Sequence, residues 1–467
     1  MSTFLKIVKN FFNYNVVLTI FLSFILIILY GSLLRHYLLG GSSFIILQKP
    51  VIFLSEFPIM ARKILISMTL DLNLPPKLQK HVEKKNFDQL IKNPRDNLLV
   101  LSRYDHSLKR SVVDIIDLEN FKTIHRYSHD INEMNKKIVN IKEFPRNNID
   151  NSESRFLYRH PLLLDDGSLI SNGNGPQFKI DFCSNLVWLN DEEKFHHSSN
   201  LDNNGNIWQV GELNPYSKYI KKYEITEFID TAIIKMNTKG KILYKKSILE
   251  ILIENKILPD NIANTFYTNN SHNIMFINEF GTTYVNPIHL NDIQPALSNT
   301  EYWKTDDLFL SIKNQSAIIH YRPSTNEVIN YITGPFSQQH DVDIISDKEI
   351  SIFNNNNFHF NNEYSEILIY DFSTKKFRKL FDTQLREENF KTITNGLSHI
   401  FKDGALLVEE QNHGRLILFN NQGKKEWEFV NKDKNGDIGY IKWSRIIEDQ
   451  EIIYKFKSLL QKKQCSN

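Results

Sequence analysis

The feature that most constrains the fold of this chain is a repeat. From Asn97 onward, short strand-like runs alternate with Asp, Asn and Gly, and groups of runs recur every ~40–60 residues. A unit typically opens on a polar residue, often histidine. An apolar residue follows four positions later, then a turn and two or three more strands. Almost no long helical period interrupts the series.

Six units can be laid against one another. The first is degenerate: Asn97 to Leu101, Val112 to Ile116, and Lys122 to His125. The second runs from His160 through Gly167 and Phe178 to Trp188, and the third from His197 through Trp208 and Ala232 to Tyr244. The fourth runs from His289 through Leu308 and Ala317 to Tyr331, and the fifth from His340 through Glu349 and Ile367 to Leu380. The last covers His399 to Val408, Arg415 to Phe419 and Lys425 to Phe429. Repeats of this length, each too small to bury its own sheet faces, are the signature of propeller blades stacked side by side. The expected fold is therefore all-β, a six-bladed β-propeller over residues 97–440, with a helical insertion at Ile248–Asn264 between the third and fourth units. The 32 Phe and 19 Tyr favour strands in the same way. Trp188, Trp208 and Trp427 read as blade packing, and residues 441–467 as a solvated C-terminal tail.

The N-terminus adds a second element. Phe11 to Leu34 carries no charge and is long enough, at ~1.5 Å per residue, to cross a ~30 Å hydrocarbon layer. It lacks the small-residue cleavage site of a signal peptide, so residues 1–40 are expected to be an uncleaved signal anchor, a transmembrane helix. Lys6 and Lys9 on its short side favour the N-terminus inside and the body of the chain outside; Arg35 opposes them. Residues 41–96, punctuated by Pro50, Pro58, Arg62 and Lys63, read either as an interfacial helix or as a helix on the propeller rim. A net charge of +2 leaves no bulk footprint for nucleic acid. The two cysteines, Cys183 and Cys465, lie far apart, so neither a disulfide framework nor a cysteine-rich zinc site is expected.

The innermost strand of each blade lines the propeller channel, so equivalent positions in different blades face one place. His160, His197, His289, His340 and His399 fall in that slot on the repeat's register, while His196 is expected to face the opposite way because side chains alternate along a strand. Converging imidazoles support two chemistries. They could hold a transition metal, with Asp292, Asp341 and Asp343 behind them. Alternatively, one could attack a sulfuryl or phosphoryl group while neighbouring cations stabilise the anionic oxygens. The polar run Asn354–Asn357 reads as a solvated loop, with a place at the channel mouth as the alternative.

Four segments carry a resemblance to a known family: His289-Leu-Asn-Asp-Ile, Leu310-Ser-Ile-Lys313-Asn-Gln315, Gly334-Pro-Phe-Ser-Gln-Gln-His340-Asp-Val-Asp and Val408-Glu-Glu-Gln-Asn-His-Gly-Arg415. The chain resembles the bacterial arylsulfotransferases, periplasmic six-bladed propellers that move sulfuryl groups between phenols without a nucleotide donor. The resemblance implies a ping-pong reaction with no cofactor, a sulfate ester donor and a phenolic or hydroxyl acceptor. His340, after Gln339, matches the histidine that becomes transiently sulfated. His289 with Asn291 matches a segment that holds the sulfuryl oxygens, and His197 matches a third histidine, with His196 as its substitute. Lys313, near Gln315, stands where the family has a sulfuryl-binding arginine, keeping the charge but losing the planar fork. The family's disulfide near the site is not expected here. Arg415 is assigned to substrate binding or to a blade-to-blade salt bridge. The two rival functions are a metal-dependent propeller enzyme and a non-catalytic, membrane-tethered binding propeller.

Overall fold

The computed structural model describes residues 14–38, 41, 43–69, 74–93, 95–140, 152–222, 228–259, 262, 275–277, 283–357, 364–462 and 465. Lys6, Lys9, Phe11 and the end of the expected helical insertion at Asn264 lie outside them. The chain forms two compact units: Met1–Leu72 with Ala263–Val285, and Asn73–Ile262 with Asn286–Asn467.

The smaller unit holds helices α1 (Tyr14–Leu38) and α2 (Ile45–Thr69) and a two-stranded pair, Met275–Ile277 with Thr283–Val285. Within α1, Val16–Leu38 is long and apolar enough to cross a membrane, and none of its most apolar stretch is buried. Helix α2 is continuous through Pro50 and Pro58, although each proline removes a backbone donor.

The larger unit is the six-bladed propeller. Its first blade comprises Leu98–Asp105, Arg110–Asp117 and Lys122–Tyr127, with Arg445–Ile447 as the innermost strand. Blades two and three share one seven-stranded sheet. Arg159–Leu163, Leu169–Asn172 and Gly175–Ile180 lead into a 16-residue strand, Leu186–Leu201. That strand is the outer edge of blade two and the inner strand of blade three, which continues with Ile207–Glu212, Thr231–Met236 and Ile242–Ser247. Blade four is Leu290–Pro295, Leu308–Ile312, Ala317–Arg322 and Glu327–Thr333. Blade five is Val342–Ile344, Glu349–Asn354, Glu366–Asp371 and Lys376–Leu380. Blade six, Leu397–Ile400, Leu406–Glu410, Arg415–Phe419 and Lys425–Val430, gains a fifth outer strand from Phe87–Gln89. All pairings in these sheets are antiparallel.

The core lies between blades, and the two-residue period places it there. Leu98 and Val100 face blade two, packing with Leu163, Leu169 and Phe178. Their neighbours Leu99 and Leu101 face blade six, packing with Leu407, Leu416 and Trp427. A strand buried on both faces reads as continuous apolar sequence, and each such side chain contributes ~1.5–3 kcal/mol when fully buried. The helix Ile248–Glu254 follows blade three where an insertion was expected, capped by Ser247, whose Oγ accepts from the Glu250 amide.

Two expectations are corrected. Residues 441–462 are not a solvated tail: Arg445–Ile447 closes blade one, and helix α3 (Gln450–Lys462) packs Ile453 and Phe456 into the core between blades one and two. The first unit looked degenerate because its inner strand comes from the far end of the chain. The two cysteines are also not separate: Cys183, in the turn before Leu186, is disulfide-bonded to Cys465, pinning the chain just beyond α3. Cysteine spacing alone could not reveal this, because circular closure brings residues 282 positions apart together.

Candidate active site

Each blade places one left-handed residue at or just before its innermost strand. These are Trp443 (φ 65°), His160 (46°), His197 (55°), His289 (53°), Gln338 (53°) and Asn395 (63°). For side chains other than glycine this conformation costs ~1–2 kcal/mol, which the surrounding sheet must supply. It also breaks the alternation of the strand and re-aims side chains inward, as bulges do. Strand pairing shifts register at these points in blades two, three and four. Hence His196 and His197, expected to diverge, sit with ring centroids 4.8 Å apart.

Three of the six equivalent positions are histidines. His340 stands two residues past Gln338 and His399 four past Asn395, so the repeat's register misplaced both. His340 still joins the cluster. His399 does not: its ring bonds Glu448 at 3.0 Å and meets Phe401 edge-on.

His197 is the hub. Its ring centroid lies 6.1 Å from His160, 5.2 Å from His289 and 6.4 Å from His340. The indole of Trp443 packs against His160 at 4.0 Å. Rings from blades two, three, four and five therefore meet in one place, with a residue of the chain's closing segment beside them.

Asparagines fix the proton positions. The Asn355 amide donates to the carbonyls of Thr392 (2.8 Å) and Asn395 (2.7 Å), which leaves its Oδ1 to accept from His340 Nδ1–H at 2.6 Å. His340 therefore carries its proton on Nδ1 and its lone pair on Nε2, where the Asn395 amide donates to it at 2.8 Å. Asn286 does the reverse. Its Oδ1 accepts from the His289 amide (3.0 Å), so its Nδ2 donates to His289 Nδ1 (2.9 Å). His289 thus holds its proton on Nε2. Second partners of this kind set which nitrogen is basic. Among the described residues, nothing hydrogen-bonds the ring nitrogens of His197, and His160 Nδ1 and His196 Nε2 are buried without such a partner.

Burial pushes every imidazole here down: His340 to about 3, His196 to about 4, and His160, His197 and His289 well below the ordinary histidine range. The Lys313 charge adds to this at His289 and His340. The rings are neutral at pH 7 and available as nucleophiles or hydrogen-bond partners. Lys313 follows Leu308–Ile312, its amide donating to the His289 carbonyl at 3.0 Å, and burial lowers its own pKa. Lys442, beside Trp443, is pushed by burial to about 7, and its charge also acts on His340. Arg159 acts on His160, His196 and Lys442. Lys194 is engaged by Glu212 at 2.5 Å. A neutral imidazole cluster among cations is an environment for an oxyanion.

Next to the cluster, the buried carboxyls of Asp292 and Asp341 have pKa values raised by burial and by the neighbouring Asp343, Asp292 to about 7, and burial also raises the half-buried Asp343. Arg445 feels all three, and its guanidinium binds the carbonyls of Pro161 and Ser199 and the Asn200 side chain. Asp292 Oδ2 accepts from the Val342 amide and Asp341 Oδ2 from the Ser398 amide, each at 3.0 Å, stitching blade four to five and five to six. Among the described residues, no group of three or more His, Cys, Asp or Glu side chains has the geometry to hold a metal ion.

The remaining site residues divide. Asn291 is fully buried and donates to the Gln339 carbonyl at 2.9 Å, fixing the segment that carries His340. Gln315 donates to the Pro287 carbonyl at 2.5 Å and braces the turn before His289. Arg415 is not brought to the cluster. Its guanidinium bonds Glu410 (2.7 Å), Glu428 (3.0 Å), Glu388 (3.2 Å) and the Glu388 carbonyl (3.1 Å), the salt-bridge alternative to substrate binding. Sequence reasoning missed Asn286, Asn355, Asn395, Arg159, Lys442 and Trp443. The run Asn354–Asn357, read as a solvated loop, has its first three members buried at 1% exposure or less. Four consecutive amides after a strand that runs toward the axis were the available signal.

Fold and site together define a β-propeller whose blades two to five each bring a buried imidazole to one cluster. The profile of the arylsulfotransferase (ASST) family matches residues 160–432, more than half of the 467-residue chain. The chain belongs to the arylsulfotransferase family, whose reaction class is sulfuryl transfer on small-molecule substrates. No curated protein sequence matches it significantly. Among solved structures, a protein of unknown function from Bacteroides caccae aligns at 10% identity over 76% of this chain and 100% of that one, with a TM-score of 0.45. A catalytically inactive virginiamycin B lyase from Staphylococcus aureus with quinupristin aligns at 12% identity over 73% and 87%, with a TM-score of 0.35. A streptogramin B lyase aligns at 9% over 76% and 97%, with a TM-score of 0.38. Likenesses this distant carry no argument about this chain.

Proposed function

We propose that the protein transfers a sulfuryl group from an aryl sulfate-type donor to a phenolic or other hydroxyl acceptor, through a sulfohistidine at His340. The observation that carries this is the asparagine-set tautomer of His340, which puts its lone pair on Nε2 within a cluster of neutral imidazoles and cations. In the first half-reaction, Nε2 attacks the donor sulfur, the ester S–O bond breaks, and its electrons leave on the phenolate. The phenolate takes its proton from water, relayed by His197, which has no hydrogen bond on its ring nitrogens among the described residues. His289 donates from Nε2–H to a sulfuryl oxygen, while Lys313 and Lys442 offset the negative charge of a loose transition state. In the second half-reaction the acceptor oxygen attacks sulfur, the N–S bond breaks with its electrons returning to His340 Nε2, and the acceptor proton passes through His197 to water. Asn291 and Gln315 position His340 and His289 rather than touch substrate.

The Asn395 amide must withdraw from Nε2 before attack. That cap favours one second reading, in which His197 is the nucleophile. Incubating the protein with a chromogenic aryl sulfate and a phenol acceptor separates them. Acceptor-dependent phenol release, lost in His340→Asn, supports the first reading. Loss in His197→Asn, with a sulfated His197 recovered from donor-treated His340→Asn, supports the second. No release from wild type with any aryl sulfate refutes both, and bound metal in that sample would return the metalloenzyme reading.

We further propose that α1 anchors the chain in the bacterial inner membrane with the propeller in the periplasm. The charge-free span and Lys6 and Lys9 on its short side support this. So does the Cys183–Cys465 disulfide, since such bonds persist in oxidising compartments.

A further inference from the structure

Helix α2 presents its apolar residues on the wrong side for a soluble helix. Its inner stripe against α1 includes Val51, 7% exposed, with Gln48, Ile52 and Ser55 half-buried. Its outer face carries Ile46 (87% exposed), Phe53 (54%), Leu54 (58%) and Phe57 (55%). Lys49 is the one charged residue fully exposed between Ile45 and Pro58; Glu56 is half-buried. Water would penalise this face by ~25 cal/mol per Å² of apolar surface.

Two hydrogen bonds say what covers it. Tyr37 Oη donates to the Phe44 carbonyl at 2.8 Å, and Tyr30 Oη to the Val51 carbonyl at 3.0 Å. Tyr30 lies eight residues before the end of α1 at Leu38, roughly 12 Å along the helix at ~1.5 Å per residue. Whatever medium surrounds α1 at that depth also surrounds the outer face of α2, which continues the exposed apolar surface of α1 (Ile27, 66% exposed; Phe24, 61%). Lys49 sits within one turn of the start of α2, near enough to the surface for its ammonium to reach headgroups.

We propose that the segment Phe44–Phe57, which leads into and forms the first half of α2, is embedded in the lipid bilayer beside α1, making the anchor a two-helix hairpin rather than a single span. This rests on the anchoring reading of α1. Those 14 residues cover about 21 Å of the ~30 Å hydrocarbon layer, entered from the face where α1 exits, and α2 runs on unbroken from there to Thr69.

The test uses the full-length protein in phosphatidylcholine/phosphatidylglycerol vesicles, with an environment-sensitive fluorophore on single added cysteines at Phe53→Cys, Phe57→Cys or, within α1, Ile27→Cys. All three positions are exposed, so none disturbs packing. Quenching of the Phe53 and Phe57 probes by nitroxide-labelled acyl chains, to at least half the extent seen at Ile27 and with protection from aqueous iodide, is the expected result. Iodide quenching at Phe53 and Phe57, or protection from both quenchers by protein packing, overturns the proposal while Ile27 remains in lipid. Iodide quenching at Ile27 as well overturns the anchoring reading itself.

Discussion

Replacing Asn355 with alanine should separate the fold of the site from its chemistry. The side chain is fully buried and makes three hydrogen bonds: it accepts from His340 Nδ1 at 2.6 Å and donates to the Thr392 and Asn395 carbonyls at 2.8 and 2.7 Å. Removing it strands one donor and two acceptors, each costing ~1–3 kcal/mol, and water entering the void recovers part of that. A loss of about 4 kcal/mol follows. With an unfolding entropy of ~2 cal/mol/K per residue in a unit this large, that corresponds to a Tm fall of roughly 5 °C. The catalytic effect is independent of this. A net hydrogen bond of ~1–1.5 kcal/mol holds the His340 tautomer, and its loss lets the proton move to Nε2, lowering kcat about tenfold. Asn355→Asp keeps an acceptor facing Nδ1 and should retain more of kcat than alanine does, whatever its Tm. The assay is initial-rate phenol release alongside thermal unfolding of the same samples. A Tm fall with kcat unchanged, or equal kcat losses in the two variants, would refute the claim that Asn355 acts through the His340 tautomer.

Three further outcomes are expected. Arg415→Met, which leaves Glu410, Glu388 and Glu428 without their shared cation, should cost ~3–5 kcal/mol in urea unfolding while leaving KM unchanged; a raised KM at unchanged stability would return Arg415 to the substrate site. Reducing the Cys183–Cys465 bond, which closes a loop spanning 282 positions, should lower the Tm, the chain-entropy model giving about 5.6 kcal/mol; identical unfolding with and without reductant would contradict it. His340 and His196 have pKa values depressed to about 3 and about 4, so as pH falls below the unfolded value of ~6.5 the unfolded state takes up protons first. Their contribution is present above that value and is lost below it, each forfeiting about 2 kcal/mol by pH 5. The urea midpoint should fall between pH 7.5 and 5, and less so in His196→Leu; a midpoint that rises would refute the neutral cluster.

The order of the blades was legible because a strand buried between blades writes its two-residue period directly into sequence, as Leu98 to Leu101 do. What closes the ring was not. Arg445–Ile447 and Phe87–Gln89 join sheets whose other strands lie hundreds of residues away, and short strands carry little local signal. The histidines that meet were named from the repeat, yet for a partly mistaken reason: left-handed residues at His160, His197 and His289 re-aim the rings, and register alone would have included His399 and turned His196 away. The amides that set the tautomers were illegible because Asn286 and Asn355 look like turn residues until their partners are known.

The most direct test of the central claim is to quench the enzyme during turnover with a radiolabelled-sulfate aryl ester, keep it at alkaline pH, and map the label. The account predicts a base-stable, acid-labile label on the peptide carrying His340, formed without acceptor and discharged when phenol is added. Turnover with no protein-bound sulfate at any quench time, or label that forms unchanged in His340→Asn, would contradict it.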